Sequence, residues 1–134
     1  AFGQLTHSEE VDCWVEASRS SVLAVQGVRD CLLATAAPIA AISPIIGGKA
    51  VKGPAAAILG SLGHDVSALG IARLYADLVD LFVLDLEDTG LEAEIERELG
   101  LRCLVTPTLM RGVPEKRALA RATLDALNEL ITVA

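Results

Sequence analysis

One segment of the chain combines glycines, lysines and prolines in a way that suits the binding of an anion. It covers residues 42–54 and reads Ile-Ser-Pro-Ile-Ile-Gly-Gly-Lys-Ala-Val-Lys-Gly-Pro. Gly47 and Gly48 allow backbone N–H groups to approach a ligand closely, and Lys49 and Lys52 bring positive charge. The final proline suits the first turn of a helix, whose positive end would point at the same place. The segment therefore predicts an anion-binding turn between a strand and a helix.

The charges around this segment favour the same interpretation. No Asp or Glu occurs between Cys31 and His64, although the chain has 18 acidic residues and a formal net charge of -7. The alternative is an ordinary surface turn with solvated lysines, because the segment is neither a Walker A sequence nor a Gly-x-Gly-x-x-Gly sequence. The acid-free surroundings make us prefer a phosphate group as the ligand.

The elements that would position this turn alternate between apolar runs and helical patterns, which predicts an α/β fold for the whole chain, residues 1–134. We predict strands at 38–42, 81–84 and 102–105, and helices at 25–36, 54–62, 67–79, 89–99 and 114–130. Strands separated by helices form right-handed crossovers, so we expect a Rossmann-like parallel sheet with helices on both faces. Three strands are few for such a sheet, which indicates a partial fold.

In sheets of this kind, ligands bind at the carboxyl ends of the strands. This rule brings together the segments that follow the three strands, namely residues 43–53, 85–88 and 106–111. The last of them offers the hydroxyl groups of Thr106 and Thr108 and the cation of Arg111. The alternative for this segment is a simple turn before a helix.

A charged stripe on the predicted helix 67–79 is a second candidate for substrate binding. Arg73, Asp77 and Asp80 follow one another at helical spacing, opposite the apolar face. Such a stripe usually faces solvent without a further role, and both interpretations stay open.

Composition excludes several classes of partner. The acidic balance argues against nucleic acid and anionic membranes, which both require a basic surface. The uncharged run 31–48 is interrupted by prolines, and no secretory signal is apparent. Cys13, Cys31 and Cys103 are odd in number and widely spaced, which predicts buried thiols in a reducing compartment.

Three stretches of the chain resemble motifs of one family, in the same order. Residues 43–54 resemble the central signature of the 2-phospho-L-lactate transferases of coenzyme F-420 biosynthesis. Residues 68–78, Ala-Leu-Gly-Ile-Ala-Arg-Leu-Tyr-Ala-Asp-Leu, and residues 104–110, Leu-Val-Thr-Pro-Thr-Leu-Met, resemble later motifs of that family. The likeness covers about Val25 to the C-terminus, and residues 1–20 do not match.

The resemblance implies a transferase that moves a phospholactyl or phosphoenolpyruvyl group from a guanosine diphosphate carrier to the deazaflavin Fo, with release of GMP. It further implies a Rossmann-like fold, dependence on Mg, a cytoplasmic location and a dimeric state. In this resemblance Ser43, Gly47, Gly48 and Lys49 bind the donor phosphates. The remaining candidate substrate-binding residues are Pro44, Lys52, Arg73, Thr106 and Thr108.

The resemblance is to the carboxyl-terminal half of the family only. The amino-terminal half, with the acidic residues that hold the metal, has no counterpart in this chain, so we assign neither a metal ligand nor a catalytic residue. Two further functions stay open, a non-catalytic nucleotide-binding or anion-binding remnant and a fragment that requires a complementary chain. The expected partners are therefore the guanosine-linked donor, Fo, and a second copy or a complementary chain.

Overall fold

The computed structural model describes residues 25–133, which form a three-stranded parallel sheet with helices on both faces and a separate β-hairpin. The helices are α1 (Val28–Ala34), α2 (Ala55–Ser61), α3 (Ala68–Tyr75), α4 (Glu92–Leu99) and α5 (Val113–Val133), and a 3₁₀ helix covers Leu86–Leu91. The strands are β1 (Ala40–Ile42), β2 (Ile45–Ile46), β3 (Lys49–Ala50), β4 (Leu81–Leu84) and β5 (Arg102–Val105). The predictions for residues 1–20, and for Cys13, lie outside the described residues.

The sheet has the strand order β1-β4-β5, and both pairs are parallel. Ala40 is opposite Leu81 at one end of the first pair, and Leu84 is opposite Val105 at the end of the second. Since parallel strands need crossover connections, the intervening helices lie on the faces of the sheet. The predicted Rossmann-like α/β arrangement is confirmed.

The central strand β4 is buried on both faces. Phe82 and Leu84 belong to a large apolar core shared with α3 and α4, whereas Leu81 and Val83 contact Leu119 of α5 on the opposite face. Successive strand residues point to opposite faces, so a four-residue apolar run fills both cores. Burial of side chains of this size contributes about 1.5 to 3 kcal/mol each.

Two helix ends form as their sequences predict. The Ser67 hydroxyl accepts the N–H of Gly70 at 3.0 Å and caps α3. Gly100 ends α4 in the left-handed conformation, with φ of 67°, which a residue without a Cβ adopts readily.

Thr89 and Glu92 have the spacing of a capping box, which predicts that Thr89 caps the helix at 89–99, but no side chain caps α4. Thr89 lies inside the 3₁₀ helix, where its hydroxyl donates to the Leu86 carbonyl at 2.6 Å. The physical reason lies upstream, because Asp85 accepts the N–H of Glu87 at 3.1 Å and starts the helical turn earlier.

The cysteine predictions have mixed outcomes. Cys31 is exposed, since α1 buries none of its residues, so the expectation of a buried thiol is wrong there. Cys103 is half-buried, and burial raises the pKa of its thiol to about 12, which keeps it in the unreactive protonated form. None of the described helices is both long enough and apolar enough to cross a membrane.

Candidate functional site

The segments that follow β1, β4 and β5 meet at the carboxyl edge of the sheet, as the sequence predicts. Thr108 donates to Asp85 through its backbone N–H at 2.8 Å and through its hydroxyl at 3.0 Å. The N–H of Gly47 lies 3.2 Å and 3.1 Å from the two carboxylate oxygens of Asp88. Side chains from the middle segment therefore hold the other two in place.

The glycine-rich segment is a β-hairpin rather than the loop that the sequence predicts. Strands β2 and β3 pair antiparallel, with Ile46 opposite Lys49, and Gly47 and Gly48 form the turn with φ of 55° and 76°. Two successive positive φ values are the requirement of a type I′ turn, which fits the right-handed twist of the strands. The glycine pair therefore has a structural role, and the fully buried Ile45 anchors the hairpin on the core.

Ser43 and Pro44 form the junction between β1 and the hairpin. The N–H of the buried Ser43 donates to the Val83 carbonyl at 2.9 Å, which extends the contact with β4 by one residue. Its hydroxyl donates to the Ile45 carbonyl at 2.9 Å. Pro44 is exposed, and its carbonyl accepts the N–H of Val51 at 3.1 Å. Both residues thus fix the direction in which the hairpin leaves the sheet.

The N–H of Gly47 is directed at the protein's own carboxylate. Asp88 is only 7% exposed and holds this N–H with both oxygens, and a Cβ on Gly47 would lie 2.7 Å from Oε2 of Glu87. A phosphate oxygen can accept the Gly47 N–H only after Asp88 releases it. The side chains of Lys49 and Lys52, in contrast, are exposed to solvent.

Asp85 is the most extensively hydrogen-bonded side chain at this edge. It is 8% exposed and accepts from the N–H and hydroxyl of Thr108 and from the N–H of Glu87. Burial alone would raise the pKa of Asp85, but the hydrogen bonds together outweigh it and hold the pKa below its usual value. The carboxylate is therefore kept ionised and fixes the position of the segment after β5.

The two predicted threonines differ in their surroundings. Thr108 is buried and its hydroxyl is committed to Asp85. Thr106 is half-buried, and its N–H donates to the Leu84 carbonyl at 3.1 Å. Thr108 thus serves to position the segment, whereas Thr106 lies closer to solvent.

Arg73 takes part in ion pairs between helices rather than in contacts at the carboxyl edge. It binds Glu98 of α4 in a bidentate manner, at 2.7 Å and 3.0 Å, and also donates to Asp65 at 3.0 Å. The hydrogen bond with Glu98 is the main cause that raises the pKa of Arg73. The other members of the predicted stripe are likewise engaged, as Asp77 pairs with Arg29 and Asp80 accepts the N–H of Ile39 at 2.8 Å.

Sequence reasoning missed the two buried carboxylates of the site. The sequence places segment 85–88 at the carboxyl edge without naming Asp85 or Asp88 as site residues, and both are buried there. The available signal was the position of Asp85 directly after a fully apolar strand, at the edge where ligands bind in parallel sheets. The contact of Asp88 with Gly47 spans 41 residues, and no local pattern indicates it.

The described residues do not by themselves fit a magnesium site. Within this part of the chain no group of three or more His, Cys, Asp or Glu side chains could hold a metal ion. The carboxylates of Asp85 and Asp88 are instead held by N–H and O–H donors of the chain itself.

Apolar side chains surround the carboxyl edge and are exposed to solvent. We call them the apolar rim; their exposed fractions lie between 38% and 55%, and they are Ile42, Val51, Leu86, Leu109 and Met110. Ile42 ends β1, Val51 follows β3, and the other three lie in the segments that follow β4 and β5. Such a surface can pack against a planar apolar group, with the lysines of the hairpin nearby to bind anionic groups.

Fold and site together define an α/β protein with a candidate binding site at the carboxyl ends of parallel strands. The chain is 33% identical over 114 residues to a phosphoenolpyruvate transferase from Streptomyces griseus, which covers 84% of this chain and 36% of that protein. It is 37% identical over 106 residues to a 2-phospho-L-lactate transferase from Methanothermobacter thermautotrophicus. This match covers 79% of this chain and 34% of that protein. No family model matches the chain.

The resemblance drawn from the motifs is confirmed, and the chain is homologous to the 2-phospho-L-lactate and phosphoenolpyruvate transferases. It spans about a third of the length of the curated relatives that it matches. This share is smaller than the half that the motifs indicate.

Proposed function

We propose that the chain forms part of a transferase that moves a phospholactyl or phosphoenolpyruvyl group from a guanosine diphosphate carrier to the deazaflavin Fo, with release of GMP. The names of the relatives support the transferred group. The main support is that residues 43–54 and 104–110, which resemble two motifs of the family, lie together at the carboxyl edge of one sheet. There the donor and the acceptor can be bound side by side.

The donor phosphates are bound by the hairpin. Lys49 and Lys52 are the exposed cations of this segment, and a charge-assisted hydrogen bond from either contributes about 1.5 to 3 kcal/mol. Ser43, Pro44 and the Gly47-Gly48 turn hold these lysines at the edge of the sheet. The N–H of Gly47 joins the phosphate contacts once Asp88 turns away from it.

The acceptor ring is bound by the part of the apolar rim that follows β5. An aromatic ring system packs well on exposed aliphatic and thioether groups, and Leu109 and Met110 follow directly after the motif threonines. Thr106 offers a hydroxyl to the polar part of the acceptor, and Thr108, through Asp85, keeps the segment in position. In-line placement of acceptor and donor is the main contribution that a protein makes to such a transfer.

Magnesium, a cytoplasmic location and a dimeric state enter this proposal from the family resemblance. The cation would neutralise charge on the transferred phosphate. We assign it no ligand among residues 25–133, and no step of the proposal passes through it. A second copy or a complementary chain completes the site.

A non-catalytic binding role is the second candidate. It is favoured by Asp88, whose carboxylate takes the place at the Gly47 N–H that a phosphate would occupy in a working site. A remnant of this kind would retain affinity for GMP or Fo without turnover.

Titration of the purified chain with Fo and with GMP, each with and without Mg²⁺, tests the proposal. Fo fluorescence reports its binding directly. Lys49→Ala is expected to weaken GMP binding about tenfold, in line with the loss of one charge-assisted bond. Arg97→Ala removes an exposed cation in the last turn of α4 and serves as the control that keeps wild-type affinity.

Binding of GMP that depends on Lys49, followed by product formation when the guanosine-linked donor and Fo are supplied together, supports the transferase. Binding without product supports the non-catalytic role. Absence of binding by the folded chain, or equal losses in both variants, contradicts a site at the hairpin.

A further inference from the structure

The outer edge of β1 carries backbone hydrogen-bonding groups that no described strand covers. The Ile39 carbonyl accepts the N–H of Leu81 at 3.2 Å, and the N–H of Ser43 donates to the Val83 carbonyl at 2.9 Å. Because the backbone groups of a strand alternate in direction, Ala40 and Ile42 point their N–H and C=O groups away from β4. These four groups form a short template for a further strand.

The opposite edge of the sheet, along β5, is partly capped. Thr106 donates its N–H to the Leu84 carbonyl, so the same alternation points the N–H of Cys103 outward. The carboxylate of Glu96 accepts that N–H at 3.4 Å, and the exposed Arg102 adds a charge to the same strand. Side-chain caps and charges are devices by which edge strands avoid pairing. A further strand is therefore directed to β1.

The side chains of β1 suit such a strand. Ala40 packs against the core on the α5 face of the sheet, whereas Ile42, on the same face, is 41% exposed. The strand contains no charged residue that would prevent pairing. Pro38 and Pro44 flank it and limit the pairing to a short segment.

The comparison with relatives indicates what covers this edge. The chain matches only 34% of the Methanothermobacter thermautotrophicus transferase, so two thirds of that protein have no counterpart in the match. The three-stranded sheet has one partly capped edge, along β5, and one open and apolar edge, along β1. The unmatched part of the relatives can therefore extend the sheet at β1.

We propose that the outer edge of β1 accepts a β-strand from an α/β polypeptide that corresponds to the unmatched two thirds of the relatives. The strand pairs with the N–H and C=O groups of Ala40 and Ile42, and an adjoining apolar side chain covers Ile42. This inference rests on the sheet edges and the homology, and it holds whether or not the chain binds GMP or Fo.

Co-expression of the full chain with the unmatched part of the Methanothermobacter thermautotrophicus transferase tests the proposal, because the partner then need not fold alone. We expect a one-to-one complex on size exclusion. We also expect the amides of Ala40 and Ile42 to exchange hydrogen at least tenfold more slowly in the complex than in the chain alone.

Ile42→Lys places a charge at the proposed contact and is expected to weaken the complex at least tenfold. The matched control is Leu124→Lys on α5, where the exposed fraction of the side chain is 59% and where the complex is expected to keep its affinity. Circular dichroism establishes that both variants are folded, and an Ile42→Thr variant, which introduces no charge, is expected to weaken the complex less.

Three results overturn the proposal. The first is absence of a complex between folded wild-type chain and partner. The second is a complex in which the amides of Ala40 and Ile42 exchange as in the free chain. The third is slow exchange of these amides in the chain alone. Slow exchange that is independent of protein concentration would assign the edge to residues 1–24. Slow exchange that increases with protein concentration would assign it to a second copy of the chain.

Discussion

Asp85 is the residue on which the carboxyl edge depends most. Its carboxylate lies at the end of the buried strand β4 and accepts hydrogen bonds from Thr108 and from Glu87. A buried carboxylate that is left with too few donors is costly, so these donors are required as much as the carboxylate itself. Asp85 therefore holds the segment after β5 at Thr108, beyond the backbone bond between Thr106 and Leu84.

Thr108→Val tests this dependence. The variant keeps the shape of the side chain and the backbone N–H bond but removes the hydroxyl that donates to Asp85 at 3.0 Å. We expect the free energy of unfolding to fall by about 1 to 3 kcal/mol, as for a lost hydrogen bond to a buried charge. Urea denaturation measures it. Thr132→Val, which removes an exposed hydroxyl from the last turn of α5, is expected to change it by less than about 0.5 kcal/mol.

The pH dependence of stability is a second test at Asp85. The folded pKa of Asp85 is lowered, so its contribution to stability is fully present above the unfolded pKa of about 3.9. This contribution is lost as the pH falls through the lower folded pKa. We expect the free energy of unfolding to decrease below about pH 4, and to decrease less steeply in Asp85→Asn. Denaturation curves between pH 7 and pH 2 measure both slopes, and equal slopes would contradict the expectation. Thr132→Val keeps the wild-type slope.

Among the elements, α3 shows how a single glycine determines packing. Gly70 is buried in the first turn of this helix, and a Cβ there would lie 2.0 Å from the carbonyl oxygen of Asp65. That carbonyl belongs to the backbone, which cannot move aside as a flexible side chain can. Close approach of the chain before α3 to the helix itself therefore requires glycine at this position.

Gly70→Ala and Gly60→Ala form a matched pair of helical substitutions. We expect Gly70→Ala to lower the free energy of unfolding by about 1 to 3 kcal/mol or more, because the backbone must shift. Gly60 lies in α2 and its Cβ would meet only the Val66 side chain at 3.9 Å. Gly60→Ala is expected to raise the free energy of unfolding by about 0.5 to 1 kcal/mol, since alanine favours the helix. Thermal and urea unfolding measure the pair, and a stabilising Gly70→Ala would show that the described contact is wrong.

Elements that depend on local signals could be predicted from the sequence. The Ser67 cap, the Gly100 helix end and the apolar strand 81–84 all follow from neighbouring residues. From the sequence, the Gly-Gly pair is assigned to a phosphate contact and the β2–β3 hairpin is missed, although a two-residue Gly-Gly turn also predicts a type I′ hairpin. The contacts of Asp88 with Gly47 and of Asp85 with Thr108 join distant segments, so only the folded chain shows them.

At the scale of the whole molecule, the sheet has two unlike ends and two unlike edges. The hairpin, the buried carboxylates and the apolar rim lie at its carboxyl end. Arg73 does not belong to this end, because it forms an ion pair between α3 and α4. The β5 edge of the sheet is partly capped by Glu96 and its β1 edge is open among the described residues. The parallel order that produces this asymmetry was predictable from strands alternating with helices. The match covers only about a third of the length of the relatives, which is consistent with a sheet that continues beyond β1.

The central claim is that the carboxyl edge binds the donor phosphates and the deazaflavin ring. Its most direct test is a two-dimensional ¹H–¹⁵N NMR titration of the labelled chain with GMP and, separately, with Fo. We predict that GMP shifts the amide signals of the hairpin, residues 43–53, and that Fo shifts those of residues 106–111. The Gly47 amide is expected to move as Asp88 releases it. Shifts confined to the amino ends of the strands, or to the outer face of α5, would contradict the claim, as would unchanged spectra at millimolar ligand.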